Sequence, residues 1–356
     1  MFDRSFYKDK TVFITGHTGF KGAWMCKVLQ HLGANVIGYA HEAENISMFN
    51  MLGLKSQITS IVGDVRDLDK LKRSIKEYSP EIVIHMAAQA IVRASYENPV
   101  ETYDTNVMGT VNLLESIRNS DGVKSVVNVT TDKVYLNNEW EWGYRENDEL
   151  DGYDPYSNSK SCAELVTASY IRSFFYNNRT AISTCRAGNV IGGGDFAKNR
   201  IIPDCVNAAL ETKDIIIRNP HSIRPYQHVL EPVFAYLLIA SKQYEDKESF
   251  AGAYNIGPND DDCVKTGVLA EQFCNAWGEN LKWINECEDN APHEANFLKL
   301  DCSKVKRIFS WTPNLRVNEA ISLTVEWSKL IGKQDDLNDI TELQIKRYLD
   351  KMEMLT

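Results

Sequence analysis

The sequence predicts an α/β fold built on a doubly wound parallel sheet, and three observations predict it. Short apolar runs at 11–14, 36–38, 59–62, 82–85 and 125–129 alternate with amphipathic stretches at about 20–33, 67–78 and 99–118. The runs are almost continuously apolar, as strands are when helices cover both faces of a sheet. A glycine-rich turn joins the first run to the first amphipathic stretch, where such a sheet holds its ligand at the strand C-terminal ends.

Each later element continues this alternation. The 99–118 helix is entered through Pro99, a residue suited to a first helical turn. A long helix at about 155–178 follows the fifth run, and then a strand at 181–185. Beyond residue 188 the pattern loosens into a helix at 201–211, a strand at 214–217 and the segment 218–228. Helices near 231–243, 266–278 and 316–332 come after it. The expected division is a dinucleotide-binding domain at 1–187 and a smaller mixed α/β substrate lobe at 188–356, some of whose segments return to the first domain. No repeat, low-complexity tract or Pro/Ser linker interrupts the chain.

Composition narrows the function classes. Hydrophobic residues make up 43% and charged residues 25%, ordinary for a globular chain with an ample core. A net charge of -10 and a pI near 5.3 argue against a nucleic-acid surface. They leave room for an anionic small molecule held by a few arginines. The eight cysteines (26, 162, 185, 205, 263, 274, 287 and 302) are scattered without a CxxC pair, as reduced thiols of a cytoplasmic protein are. His41–Glu42 and His293–Glu294 each lack a second histidine at helical spacing, so no metal site is expected. The N-terminal MFDRSFYKDK has no apolar core and no stretch reaches membrane-spanning length, so a cytoplasmic location without membrane contact is expected.

Two clusters carry chemistry. The first strand runs into Thr15-Gly16-His17-Thr18-Gly19-Phe20-Lys21-Gly22, a GxxGxxG turn opening a helix. Glycines allow a tight turn and a close approach of backbone to a diphosphate, which then faces a helix N-terminus. The turn therefore reads as a dinucleotide site of Rossmann type, with Gly16, His17, Gly19, Phe20 and Gly22 as its contacts. The second strand ends Gly38-Tyr39-Ala40-His41 with Glu42 slightly late and no arginine for a 2′-phosphate, which favours NAD over NADP. Asp64 and Val65, after the third strand, are candidates for the adenine end; the plain alternative for Asp64 is a loop cap.

Tyr156 and Lys160 stand four apart after Pro155, on one helix face. An ammonium beside a phenol draws its pKa down from about 10, and a phenolate can take a hydroxyl proton as hydride leaves the same carbon. YxxxK also occurs on solvated helices; its place after a phosphate loop gives it weight. Thr131, Asp132 and Lys133 close the 125–129 strand and so enter the same cleft. Thr131 can hydrogen-bond the reacting hydroxyl, while Asp132 and Lys133 are either an acid–base pair or a loop aspartate and a surface lysine.

At this point the chain resembles, over nearly its whole length, the extended short-chain dehydrogenase/reductase family, and within it the nucleotide-sugar dehydratases of the CDP-sugar branch. The resemblance rests on TGHTGFKG (15–22), HMAAQAIVRASY (85–96), NVMGTVNLL (106–114), TDKVY (131–135) and GYREND (143–148). It continues in GYDPYSNSK (152–160), AGNVIGGGD (187–195), IRNPHSIRPYQHVL (217–230) and HEANFLKLD (293–301). It implies dehydration of CDP-glucose by internal hydride transfer through NAD, with Tyr156 at the 4-hydroxyl, Asp132 as acid and Lys133 as base. The related dTDP-glucose enzymes carry Asp-Glu where this chain has Asp132-Lys133, so Lys133 has to act as a neutral amine. Ala87, Ala88, Gln89 and Asn106 would line the cofactor. Arg93, Asn189, Arg200, Arg218, Arg224 and His228 would hold the nucleotide sugar, and a homodimer or homotetramer would form through the 99–118 and 155–178 helices. Tyr226 and Val134 depart from the tryptophan and cysteine of that branch. A nucleotide-sugar 4-epimerase and a non-catalytic NAD-binding sensor are the competing readings.

Overall fold

The computed structural model describes residues 2–198, 200–286 and 297–354; Cys287 and the His293–Glu294 pair lie outside them. The apolar runs form strands β1 (Thr11–Thr15), β2 (Asn35–Ala40), β3 (Thr59–Val62), β4 (Ile82–His85), β5 (Ser125–Val129) and β6 (Ala181–Ala187). The rest of the chain adds β7 (Asn189–Ile191), β8 (Ile215–Ile217), β9 (Ile223–His228), β10 (Ala253–Ile256), β11 (Cys263–Lys265) and β12 (Trp283–Asn285). Seven strands make one sheet in the order β10-β6-β5-β4-β1-β2-β3, and every pairing in it is parallel. The fold is thus the expected Rossmann-like sheet, extended by β10.

Helices cover both faces, which is why the inner strands are apolar throughout. On one face Trp24 of the Phe20–His31 helix and Phe234 of the Leu230–Glu245 helix pack with Val12, Ile14, Ile82 and Ile84. On the other, Leu71 and Leu113 pack with Phe13, Val83 and Val126. A separate core of Ile217, Tyr226, Phe273 and Ile321 lies under the short sheets β11-β9-β7 and β12-β8. The strand order reverses between β1 and β4, which opens a crevice beyond their C-terminal ends.

Two helices differ from expectation in the same way. The 99–118 segment is Pro99–Tyr103, a wide π turn Asp104–Met108 and then Gly109–Arg118; the 155–178 segment is Pro155–Tyr170 followed by a π turn Ile171–Phe175. A π turn re-aims side chains within a helix, and the first one carries Asn106. A C-terminal helix, Gln334–Met354, was not expected, because its sequence is polar outside a narrow seam including Leu337, Ile345 and Leu349. Buried Glu231 anchors it: Oε2 accepts from Tyr348 Oη at 2.8 Å, and Oε1 accepts the Asn314 and Leu315 N–H groups at 2.8 and 2.7 Å.

Candidate active site

Thr15 closes β1 and ties it to β4: its Oγ1 lies 2.7 Å from His85 Nδ1 and 3.1 Å from the Met86 and Ala87 nitrogens. The loops after the two strands are therefore held side by side. Gly16 follows with φ +77°, and a Cβ there would stand 2.7 Å from the Ala87 nitrogen, so the approach requires glycine. Gly22 rests directly on the Gly16 carbonyl. The helix from Phe20 has Gly19 as N-cap, no side-chain cap and no acidic residue in its first turn. Its first N–H groups are left for an anion, so these residues fit a dinucleotide diphosphate.

The remaining loop residues divide. The His17 imidazole is fully buried, with Nε2 2.8 Å from Ser60 Oγ and the ring edge-on to Phe49. Burial pushes its pKa down to about 4. A contact of His17 with a dinucleotide would therefore come from its backbone. Asp64 follows the loop-capping alternative. Its carboxylate accepts from the Arg66 backbone at 2.9 Å and from the Arg66 guanidinium at 2.6–3.1 Å, with His41 Nε2 at 3.0 Å. Burial opposes ionisation of Asp64, but the Arg66 and His41 contacts outweigh it and hold the carboxyl below its usual range. Val65 is buried, its side chain against Gly109 and its carbonyl accepting from Asn112.

Asn106 is also spent internally. Its Oδ1 accepts the Gln89 N–H at 2.9 Å, while its Nδ2 donates to Gln89 O at 3.0 Å and Ser159 Oγ at 2.8 Å. It fixes the loop after β4 to the Pro155–Tyr170 helix. Ala87, Ala88 and Gln89, on that loop, are partly exposed.

The helix bearing Tyr156 starts at Pro155 with Asp154 as its cap, accepting from Ser157 N at 3.0 Å and Ser157 Oγ at 2.6 Å. Tyr156 and Lys160 are both buried, and Lys160 Nζ donates to Val129 O at 3.3 Å. Burial raises the phenol to about 12, opposed by a hydrogen bond with Thr131. Burial, then the charge of Lys21, lowers Lys160 to about 7. The expected depression of the phenol is thus reversed: burial favours the neutral form of both groups.

Beside them, Asp132 is fully buried, and its Oδ1 accepts from Thr131 Oγ1 at 3.0 Å and Lys133 Nζ at 3.2 Å. Lys133 Nζ also donates to Asn189 Oδ1 at 3.3 Å. Asp132 Oδ2 is buried with no partner among the described residues. Thr131, Asp132, Lys133, Tyr156 and Asn189 thus meet at one point, where a proton can pass between a carboxyl and an amine.

The other substrate candidates sit on different elements. Arg200 pairs with Asp195 at 2.9 Å, Arg224 is buried on β9, Arg93 is partly buried and Arg218 is exposed. His228 is wholly buried, accepts the Leu230 N–H through Nδ1 at 3.3 Å and packs edge-on to Trp24; burial pushes its pKa down to about 3, and its Nε2 has no partner among the described residues. Tyr226 and Val134, the two departures from the family pattern, are both core residues.

Sequence reasoning missed the pair behind the site. Glu164 accepts from Arg186 Nε at 3.0 Å and Nη2 at 2.9 Å, from Thr130 Oγ1 at 2.5 Å and from Thr184 Oγ1 at 2.7 Å. Arg186 also donates to Tyr135 Oη at 2.8 Å. An arginine inside an otherwise uncharged buried strand was the available signal. Among the described residues no group of side chains could hold a metal, and no helix is long and apolar enough to cross a membrane.

Comparisons with known proteins place the chain in a family and support its fold. Residues 13–324 match the family model described as GDP-mannose 4,6 dehydratase. The chain is 46% identical to CDP-glucose 4,6-dehydratase of Salmonella typhimurium, over 98% of this chain and 99% of that one. The fold is similar to dTDP-glucose 4,6-dehydratase of Bacillus anthracis in complex with NAD (TM-score 0.75, 22% identity, 90% of this chain and 97% of that one). It is also similar to UDP-glucose 4-epimerase of Thermotoga maritima (TM-score 0.78, 21% identity, 90% and 98%). By its glycine turn, its Tyr156–Lys160 helix and a family match that spans most of its length, the chain belongs to the GDP-mannose 4,6 dehydratase family.

Proposed function

We propose that the protein dehydrates CDP-glucose to CDP-4-dehydro-6-deoxyglucose, with NAD as a resident cofactor that is returned unchanged. The observation that carries the reading is the contact of Asp132 with Lys133 at the end of β5, beside Tyr156 and Thr131. The 46% identity to the Salmonella enzyme supports the choice of nucleotide.

NAD supplies the acceptor for the C4 hydride and returns that hydride to C6. Tyr156, hydrogen-bonded with Thr131, takes the proton of the 4-hydroxyl and later gives it back. The resulting C4 carbonyl acidifies C5–H. Removing that proton requires Lys133 as an amine, and expelling the C6 hydroxyl as water requires Asp132 as an acid. A single proton shift along the 3.2 Å Lys133–Asp132 hydrogen bond produces both forms at once. The unpartnered Asp132 Oδ2 is then the oxygen free to face the leaving hydroxyl. Gly16, Gly19, Phe20 and Gly22 would hold the cofactor diphosphate, with Ala87, Ala88 and Gln89 beside it. Asn189, Arg93, Arg200, Arg218 and Arg224 would hold the nucleotide sugar, whose diphosphate suits guanidinium groups.

The domain boundary is placed at 187/188, with β10 returned to the first domain. A homodimer or homotetramer in the cytoplasm is the proposed assembly. Exposed Val100, Met108, Leu165 and Phe174 on the Pro99–Arg118 and Pro155–Phe175 segments supply an apolar face for it.

Incubation with CDP-, dTDP-, UDP- and GDP-glucose in competition tests the function. The alkali-absorbing 4-keto-6-deoxy product is expected from the CDP sugar. Lys133→Met is expected to slow solvent-deuterium exchange at C5 by about 10²–10⁴-fold. Inversion at C4 without loss of water would overturn the reading in favour of an epimerase.

A further inference from the structure

Lys21 opens the first turn of the Phe20–His31 helix, immediately after the glycine loop. That turn is pressed against the 192–195 loop: Trp24 Nε1 donates to Gly193 O at 2.9 Å, and the Phe20 ring stands 3.3 Å from where a Gly192 Cβ would lie. The Lys21 ammonium lies within electrostatic reach of Arg200, Asp132, Asp195 and Lys133, and of Lys160; burial, the largest influence on it, lowers its pKa to about 8.

Both carboxylates in this group already have cations in contact, Asp132 with Lys133 at 3.2 Å and Asp195 with Arg200 at 2.9 Å. Among the described residues Lys21 itself makes no hydrogen bond or ion pair at contact distance, and it is half-buried. A cation in a first helical turn also sits against the helix dipole, whose N-terminal end favours negative charge. Lys133 is balanced by Asp132 and Arg200 by Asp195, and burial lowers Lys160 to about 7, so Lys21 is the ammonium left without a counter-ion in contact among the described residues. Glu164, the next acid beside Lys160, is closed off by Arg186. The cleft therefore carries surplus positive charge in a chain whose net charge is -10.

The reaction proposed above begins where that surplus lies. Tyr156 and Thr131 receive the C4 hydroxyl, so the hydride leaving the same carbon is accepted within this cluster. Acceptance transfers a hydrogen nucleus with two electrons to a cationic nicotinamide ring, which becomes neutral, while the hydroxyl proton goes to Tyr156. Fixed positive charge nearby disfavours the cationic ring and leaves the neutral one unaffected.

We propose that Lys21 is an electrostatic positioning residue that makes the bound dinucleotide a stronger hydride acceptor. It acts through its charge on the first step and touches none of the reacting atoms. The inference rests on the dehydratase reading for its cofactor, and on no particular nucleotide.

Its test is the reduction potential of the dinucleotide bound to the purified holoenzyme, measured without sugar by equilibration with a reference dye. Lys21→Met is expected to shift the hydride-transfer equilibrium about tenfold against reduction, about 30 mV downward for a two-electron couple. Lys21→Arg is expected to restore it, and Lys21→Gln reads the same loss of charge should the methionine variant fold poorly. An unchanged potential in both neutral variants overturns the inference. So does an unchanged potential accompanied by loss of bound NAD or a raised KM for CDP-glucose, which would make Lys21 an anion-binding residue only. Wild-type protein that binds no dinucleotide would instead remove the dehydratase reading itself.

Discussion

Glu164→Ala removes the carboxylate on which the buried network behind the candidate site converges. Arg186 is 3% exposed and keeps its charge, so the variant leaves a guanidinium without its counter-ion. Breaking such a pair costs about 3–5 kcal/mol. The Thr130 and Thr184 hydroxyls lose their acceptor as well, each worth about 1–3 kcal/mol in isolation, and less when one network shares the loss. A total of about 4–6 kcal/mol follows. With an unfolding entropy of about 2.1 cal/mol/K per residue over 356 residues, that lowers Tm by about 5–8 °C. Calorimetry of both proteins in one buffer at equal NAD concentration measures it. Glu164→Ala with Arg186→Met is expected to recover part of the loss, because the desolvation cost of the pair disappears with both charges. A single variant within about 1 kcal/mol of the parent, or a double variant no more stable than the single, refutes the reasoning. A functional consequence accompanies the structural one. Glu164 raises the pKa of Lys160, so its removal is expected to move the alkaline limb of the rate profile to lower pH.

Asn106→Ala frees the Gln89 loop and Ser159, and is expected to cost about 1–3 kcal/mol. It should also loosen NAD retention, read as cofactor lost on gel filtration; full retention at parental stability would contradict the clamp. Burial raises the Glu231 carboxyl to about 7, against hydrogen bonds from Tyr348 and two backbone N–H groups. The folded chain therefore holds a proton that the unfolded chain has lost, and stability from this group falls as pH rises from about 4.5 to about 7, by up to about 3 kcal/mol. Glu231→Gln is expected to flatten the difference in Tm between pH 5 and pH 8, and an unchanged slope would count against it.

What was legible in the sequence was local. The glycine turn, the strand ends and the Tyr156–Lys160 spacing each depend on residues within one or two turns of chain, so their types and order suffice. What escaped depends on partners far apart. β10 is a four-residue strand whose place beside β6 is set across about seventy residues of intervening chain. The Glu231 anchor joins three segments that no periodicity connects. Three candidate residues have surroundings that their type did not disclose. His17, Asn106 and His228 are polar residues in or beside family motifs, which suggested ligand contacts. Folding uses their polar groups or buries their rings, and a buried polar group that bonds to its own chain is ordinary. Residue type thus marks a candidate, and the presence of an internal partner decides its use. By that criterion Asp132 Oδ2, His228 Nε2 and the Lys21 ammonium all remain candidates, since none has a partner among the described residues. Burying a polar atom without a partner costs free energy, and a substrate hydroxyl placed against Asp132 Oδ2 would offset that cost at the end of β5.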